Sequence, residues 1–210
     1  MGTRHLICVV KDGDYKVAQY GQWDGYPGGQ GTDVLNFLRN MNREVFEDRV
    51  NALSWLTDEE SKMRWVECGA DPDSDMVGMD VADKHREAYP ESSRDTGADV
   101  LKTIRDSERP LKLKDSRTFA GDSLFCEWAY VVDLDTNVLE VYRGFNKERL
   151  QDGERFKHLE NEPEIIEIDG EAVLTETQYY PVSLVASYDI DNLPSAEDFC
   201  EKCDPDEEEE

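Results

Sequence analysis

Arg4-His5-Leu6-Ile7-Cys8-Val9-Val10-Lys11-Asp12-Gly13-Asp14-Tyr15-Lys16-Val17-Ala18-Gln19-Tyr20 consists of two apolar, β-branched runs broken by four polar residues. Asp-Gly supplies the positive φ angles that a tight turn between twisted strands requires, so this stretch predicts a β-hairpin at residues 4–20. The next eleven residues, Gly21-Gln22-Trp23-Asp24-Gly25-Tyr26-Pro27-Gly28-Gly29-Gln30-Gly31, hold too much glycine for regular structure. Thr32 or Asp33 then caps a helix whose Val34, Leu35, Phe37, Leu38 and Met41 share one face.

Helical spacing continues through Val45, Phe46, Val50, Leu53 and Trp55, and Thr57-Asp58-Glu59-Glu60 has the spacing of a capping box. Further helices are predicted over Val77–Tyr89, ending before Pro90, and over about Gly97–Asp106. The second half changes character. Leu124–Asp133 and Val138–Arg143 read as strands around Leu134-Asp135-Thr136-Asn137. Glu164–Ile168 alternates charged and apolar residues before a turn at Asp169-Gly170. Gln178–Tyr188 reads as a long strand in which Pro181 marks an edge or a bulge. The order predicts an α+β domain: an antiparallel sheet built from two hairpins and C-terminal strands, with helices packed on it. One domain over 1–193 is expected, followed by a flexible acidic tail over 194–210.

Aromatic content of 10% is more than a disordered chain carries, so most of the length should fold. No run of apolar residues is long enough to span a bilayer, and the short N-terminal run is followed at once by charges, unlike a signal peptide. Gly2 lacks the Ser or Thr at position 6 that myristoylation wants. Five scattered cysteines do not form a secreted disulfide framework. A cytoplasmic location is expected.

Forty-nine acidic side chains oppose 23 basic ones, for a net charge of −26, and the closing Asp-Pro-Asp-Glu-Glu-Glu-Glu accounts for only six of the acids. Such a field repels phosphate backbones and anionic lipids, so direct nucleic-acid and membrane binding are not expected. It attracts basic protein surfaces. A solubilising surface, a docking face for a basic partner and mimicry of nucleic acid are the three accounts of it.

No cofactor or metal is expected. Asp71-Pro72-Asp73-Ser74-Asp75 has the alternating aspartates of a calcium loop but neither its glycine nor its closing glutamate. Cys200-Glu201-Lys202-Cys203 is a lone pair, and His5, His85 and His158 lack the spacing of zinc ligands. The glycine-rich loop before the first helix has the general form of an anion cradle, yet it lacks the Gly-Lys-Ser/Thr ending of a phosphate loop, and Asp24 and Asp33 would crowd a phosphate. Gln22, Asp24 and Tyr26 stand between glycines that fix their path. They are the candidate ligand-binding residues, with Arg4 as a charge partner for Asp24 and the Arg94-Asp95 pair alongside. The alternative is an Arg–Asp clamp that merely pins the loop.

Gly2-Thr3-Arg4, Tyr20-Gly21-Gln22-Trp23-Asp24-Gly25-Tyr26-Pro27 with Gly29 and Gly31, and Ser93-Arg94-Asp95-Thr96-Gly97-Ala98 resemble segments of a family of small proteins from bacteria, phages and fungi. Glu127–Asp135, Glu140-Val141-Tyr142 and Ser187-Tyr188-Asp189 resemble the same family's later strands, so the likeness covers roughly residues 2–193. It implies no activity. Many relatives carry Gly at the place of His5, which argues against a general catalytic role for that histidine. The leading expectation is an intracellular protein that binds a macromolecular partner or small ligand, for instance a phage-encoded inhibitor of a host protein. The alternative is a hydrolase of the N-terminal-nucleophile kind, using Thr3 after processing.

Overall fold

The computed structural model describes residues 2–74, 76–160, 165–168, 171–174 and 179–205. The hairpin forms as its turn chemistry demands. Strand β1 (His5–Lys11) pairs antiparallel with β2 (Asp14–Gly21), and Asp12 and Gly13 take φ of 56° and 75° at the tip. The chain then leaves the sheet for about a hundred residues. It forms α1 (Thr32–Asn40), α2 (Arg43–Asn51), the two-residue strand β3 (Ser54–Trp55), α3 (Asp58–Glu67), α4 (Met79–Ala88), α5 (Asp99–Asp106) and β4 (Lys112–Leu113), which pairs with β3. It returns as the hairpin β5 (Trp128–Asp133) and β6 (Val138–Arg143). A small separate ladder, β7 (Ile165–Ile168) and β8 (Glu171–Leu174), precedes β9 (Ser183–Asp189) and α6 (Ala196–Cys203).

The main sheet has the order β2-β1-β5-β6-β9, and it is mixed. The expectation of an antiparallel sheet is corrected at one joint: β5 runs parallel to β1, with His5 opposite Trp128 and Val10 opposite Asp133. The cause lies in the crossover. The helical excursion brings the chain back to the end where β1 starts, and the Arg4 carbonyl accepts the Glu127 and Trp128 N–H groups at 3.1 and 3.4 Å. Only a long connection permits such a parallel pair. Both central strands are covered on two faces, which explains their unbroken apolar character.

One face of the sheet, with Ile7, Val9, Tyr130 and Val132, packs under α1, α2, α5 and α6 through Leu35, Phe46, Leu101, Ile104 and Phe199. The opposite face, with Leu6, Cys8, Val10 and Val131, is covered by the turn around Ala120 and by Leu150, Phe156 and Val182. Helix α3 begins with the predicted capping box, closed by the Thr57 hydroxyl on the Glu60 N–H and the Glu60 carboxylate on the Thr57 N–H. The helical pattern through Trp55 stops at Asn51, because Ser54–Trp55 is drawn into pairing with Lys112–Leu113. Strand β9 lies at the edge of the sheet but begins at Ser183, so Pro181 stands before it rather than within it, and the register shift against Val141 and Tyr142 falls between Leu184 and Ala186. Glu164, Asp169-Gly170 and Gln178 lie outside the described residues.

The flexible tail expected over 194–210 is corrected for its described part, residues 194–205. Ser195 caps α6 by accepting the Asp198 N–H at 3.1 Å, and Phe199 and Cys203 are buried against the sheet, where Phe199 packs on Tyr188. Acidic composition hid a short amphipathic helix.

Candidate functional site

The loops around the starts of β1 and β5 hold most of the residues singled out in the sequence. His5 and Gly21 form the last pair of the hairpin, and Arg4 and Gln22 flank that pair where the hairpin opens. The Gln22 N–H donates to the Arg94 carbonyl at 2.9 Å, so the 93–97 segment is laid alongside the glycine-rich loop. That loop is fixed from beneath. The Gly25 N–H donates to the Thr3 carbonyl at 2.9 Å, the buried Tyr130 hydroxyl donates to the Gly25 carbonyl at 2.8 Å, and the Gln30 N–H donates to the Asp24 carbonyl at 2.8 Å. A side chain at Gly25 would run into His5 and the Thr3 carbonyl, so glycine is required there for contact rather than for φ.

Trp23 is 46% exposed yet held in place. Its indole N–H donates to Asp95 Oδ1 at 2.9 Å, and Gly2 lies so close that a Cβ there would overlap the ring. The Asp95 carboxylate also takes Arg86 at 3.4 Å and stands 4.0 Å from Arg94. Arg4 lies over the exposed Phe125 ring, with 4.5 Å between the guanidinium carbon and the ring centre. The Tyr20 hydroxyl donates to Gln22 Oε1 at 2.6 Å. Burial raises the Tyr20 phenol, and the charges of Arg4 and Arg94 oppose that shift. Phe145 adjoins the same end, its N–H donating to the Ser123 carbonyl two residues from Phe125.

The structure therefore brings together Arg4, Gln22, Arg94 and Asp95, and leaves two of the named residues apart. Among the described residues, the Asp24 carboxylate makes no ion pair or hydrogen bond. Arg4 is engaged with Phe125 and Arg94 with Asp95, so the Asp24 clamp does not form. Tyr26, also exposed, lies on the α6 side of the loop, where its ring and Cys200 Sγ both border Gly28. Trp23, Phe125 and Arg86 complete the surface but were not among the sequence candidates. Trp23 between its glycines carried a legible signal. Arg86 on α4 carried none, because nothing local tells which helix meets the loop.

The Thr3 hydroxyl makes no hydrogen bond among the described residues, and no group of three or more His, Cys, Asp or Glu there could hold a metal ion. Nor is any helix among them long and apolar enough to cross a membrane. A separate cleft at α3, lined by Leu56, Lys62, Trp65, Val77 and Lys114, shares no residue with the loop surface. No family model, curated protein or solved structure matches the chain.

Proposed function

We propose that this protein acts by binding another protein, and that the loop end carrying Trp23, Arg4, Arg94 and Phe125 is the contact surface. The observation that carries this reading is Trp23: a large aromatic side chain kept at the surface and held by the Asp95 hydrogen bond. A Trp, Phe and Arg cluster already fixed in position is the composition of a binding hot spot, because little side-chain freedom is then lost on association. Phe125, under the Arg4 guanidinium, and Phe145 are exposed as well. The net charge of −26 favours a partner of net positive charge.

Affinity capture with the wild-type chain and with Trp23→Ala tests the reading, with thermal melting of both as the control for folding. A partner retained by the wild type and lost from Trp23→Ala at unchanged melting temperature supports it. An identical set of partners on both chains rejects this surface.

A further inference from the structure

Building on that binding role, we infer that Arg4, Arg94 and the Gln22 side-chain amide form a receptor for a single anionic group, a carboxylate or a phosphate, carried on a segment of the partner protein. The backbone sets the juxtaposition: Arg4 and Gln22 flank the last pair of the hairpin, His5 with Gly21, and the Gln22 backbone N–H donates to the Arg94 carbonyl at 2.9 Å.

Each of the three groups has hydrogen-bonding capacity to spare. Although acids outnumber bases by 49 to 23, the Arg4 guanidinium has no ion pair among the described residues. Glu127 takes the Arg4 backbone N–H at 3.1 Å, not its side chain. Arg94 is 65% exposed and reaches only Asp95, at 4.0 Å. Asp95 is already committed, since the Trp23 indole and Arg86 both bond to it at shorter distance. The Tyr20 hydroxyl occupies Gln22 Oε1, which leaves the amide N–H2 as the donor end, with no partner among the described residues.

Arg4 has no counter-ion among the described residues and Arg94 has only Asp95, at 4.0 Å and shared with Trp23 and Arg86, so an anion placed near both guanidiniums gains attraction from each. Guanidinium geometry matches carboxylate and phosphate oxygens in pairs. The flanking Trp23 and Phe125 rings supply apolar walls, so the anion sits on a segment with apolar neighbours. A polyanion is disfavoured. The chain's own field repels a row of phosphates, whereas one anion within a neutral or basic segment escapes that penalty.

The test uses three labelled peptides, rich in lysine and identical except for a central Glu, phosphoserine or Gln, followed by fluorescence anisotropy with the full chain. The Glu or the phosphoserine peptide should bind ~10-fold or more tighter than the Gln peptide. Which of the two leads identifies the anion. Arg94→Gln and Arg4→Gln should each bring the ratio to within about twofold, and Arg4→Lys, which keeps the charge but not the planar fork, should fall between. Arg94 is exposed, so its variant should melt like the wild type and separates recognition from folding.

Equal binding of the three peptides, a preference that survives both substitutions, or no binding at about 1 mM overturns the inference. So does a single-stranded oligonucleotide that outcompetes the peptides. The two levels of the proposal fail differently. If Trp23→Ala abolishes partner capture while all three peptides bind alike, the binding surface stands and the anion receptor falls. If Trp23→Ala leaves capture intact, the surface itself is rejected.

Discussion

His5 shows how one residue ties the sheet to the loop above it. Its side chain is fully buried, and among the described residues neither ring nitrogen has a hydrogen bond of normal geometry. It fits only because its strand partner is Gly21, where any Cβ would overlap the imidazole ring. Burial lowers its pKa from the ordinary 6.5 to about 4, with the Thr3 backbone opposing only part of the shift. Between those values the unfolded chain takes up a proton that the folded chain refuses. The stabilising contribution is therefore complete above pH 6.5 and is lost as pH falls toward 4. It amounts to roughly 3 kcal/mol across the window. Urea melts of wild type and His5→Leu over this range should show a shallower loss of stability in the variant, whatever its stability at neutral pH. The slope should not vanish, because burial also lowers the pKa of His85. Identical slopes in the two chains would mean that His5 is hydrated or paired in solution.

At the level of elements, what could be read from the sequence was what local chemistry decides. Asp12-Gly13 specified its turn, and Thr57 with Glu60 specified a helix start, because each signal is complete within a few residues. The parallel joint between β1 and β5 is a property of two strands more than a hundred residues apart. Its one sequence trace is that both strands are apolar without alternation, a pattern of strands covered on both faces. The candidate site divides the same way. Gln22 and Trp23 were legible in their glycine setting, while Arg86 reaches Asp95 only through the placement of α4. The terminal helix was misread because α6 carries its acids outward and buries only two residues fully, Phe199 and Cys203. If α6 is part of the core, Phe199→Ala should lower the unfolding free energy by roughly 3–5 kcal/mol, the usual cost of removing a buried Phe. The urea midpoint measures it. A change under about 1 kcal/mol, typical of surface substitutions, would restore the tail.

At the scale of the whole molecule, acids outnumber bases by 49 to 23, and charges of both signs stand at both ends of the sheet. Asp12, Asp14, Asp133, Asp135, Asp189 and Asp191 gather at the hairpin-tip end, where the Asp12 and Gly13 N–H groups bind the Asp135 carboxylate at 2.9 and 2.8 Å and Asn137 bridges Asp189 and Asp191. Arg4, Arg86 and Arg94 lie at the other end, among exposed aromatic rings. Two electrostatic scales then separate. The net charge acts over distances comparable to the Debye length and governs how quickly a basic partner arrives, whereas the arginines act only on contact. Added salt should therefore slow association with a captured partner and change its dissociation little. Trp23→Ala should do the reverse, speeding dissociation while leaving the salt dependence of association in place. Surface-immobilised kinetics on both chains, from about 50 mM to about 500 mM salt, a range over which the Debye length shrinks roughly threefold, reads both rate constants. The sign is diagnostic: association that accelerates with salt would identify a partner of net negative charge. Association indifferent to salt would leave solubility as the role of the acidic surface, with recognition resting on the arginine and aromatic end alone.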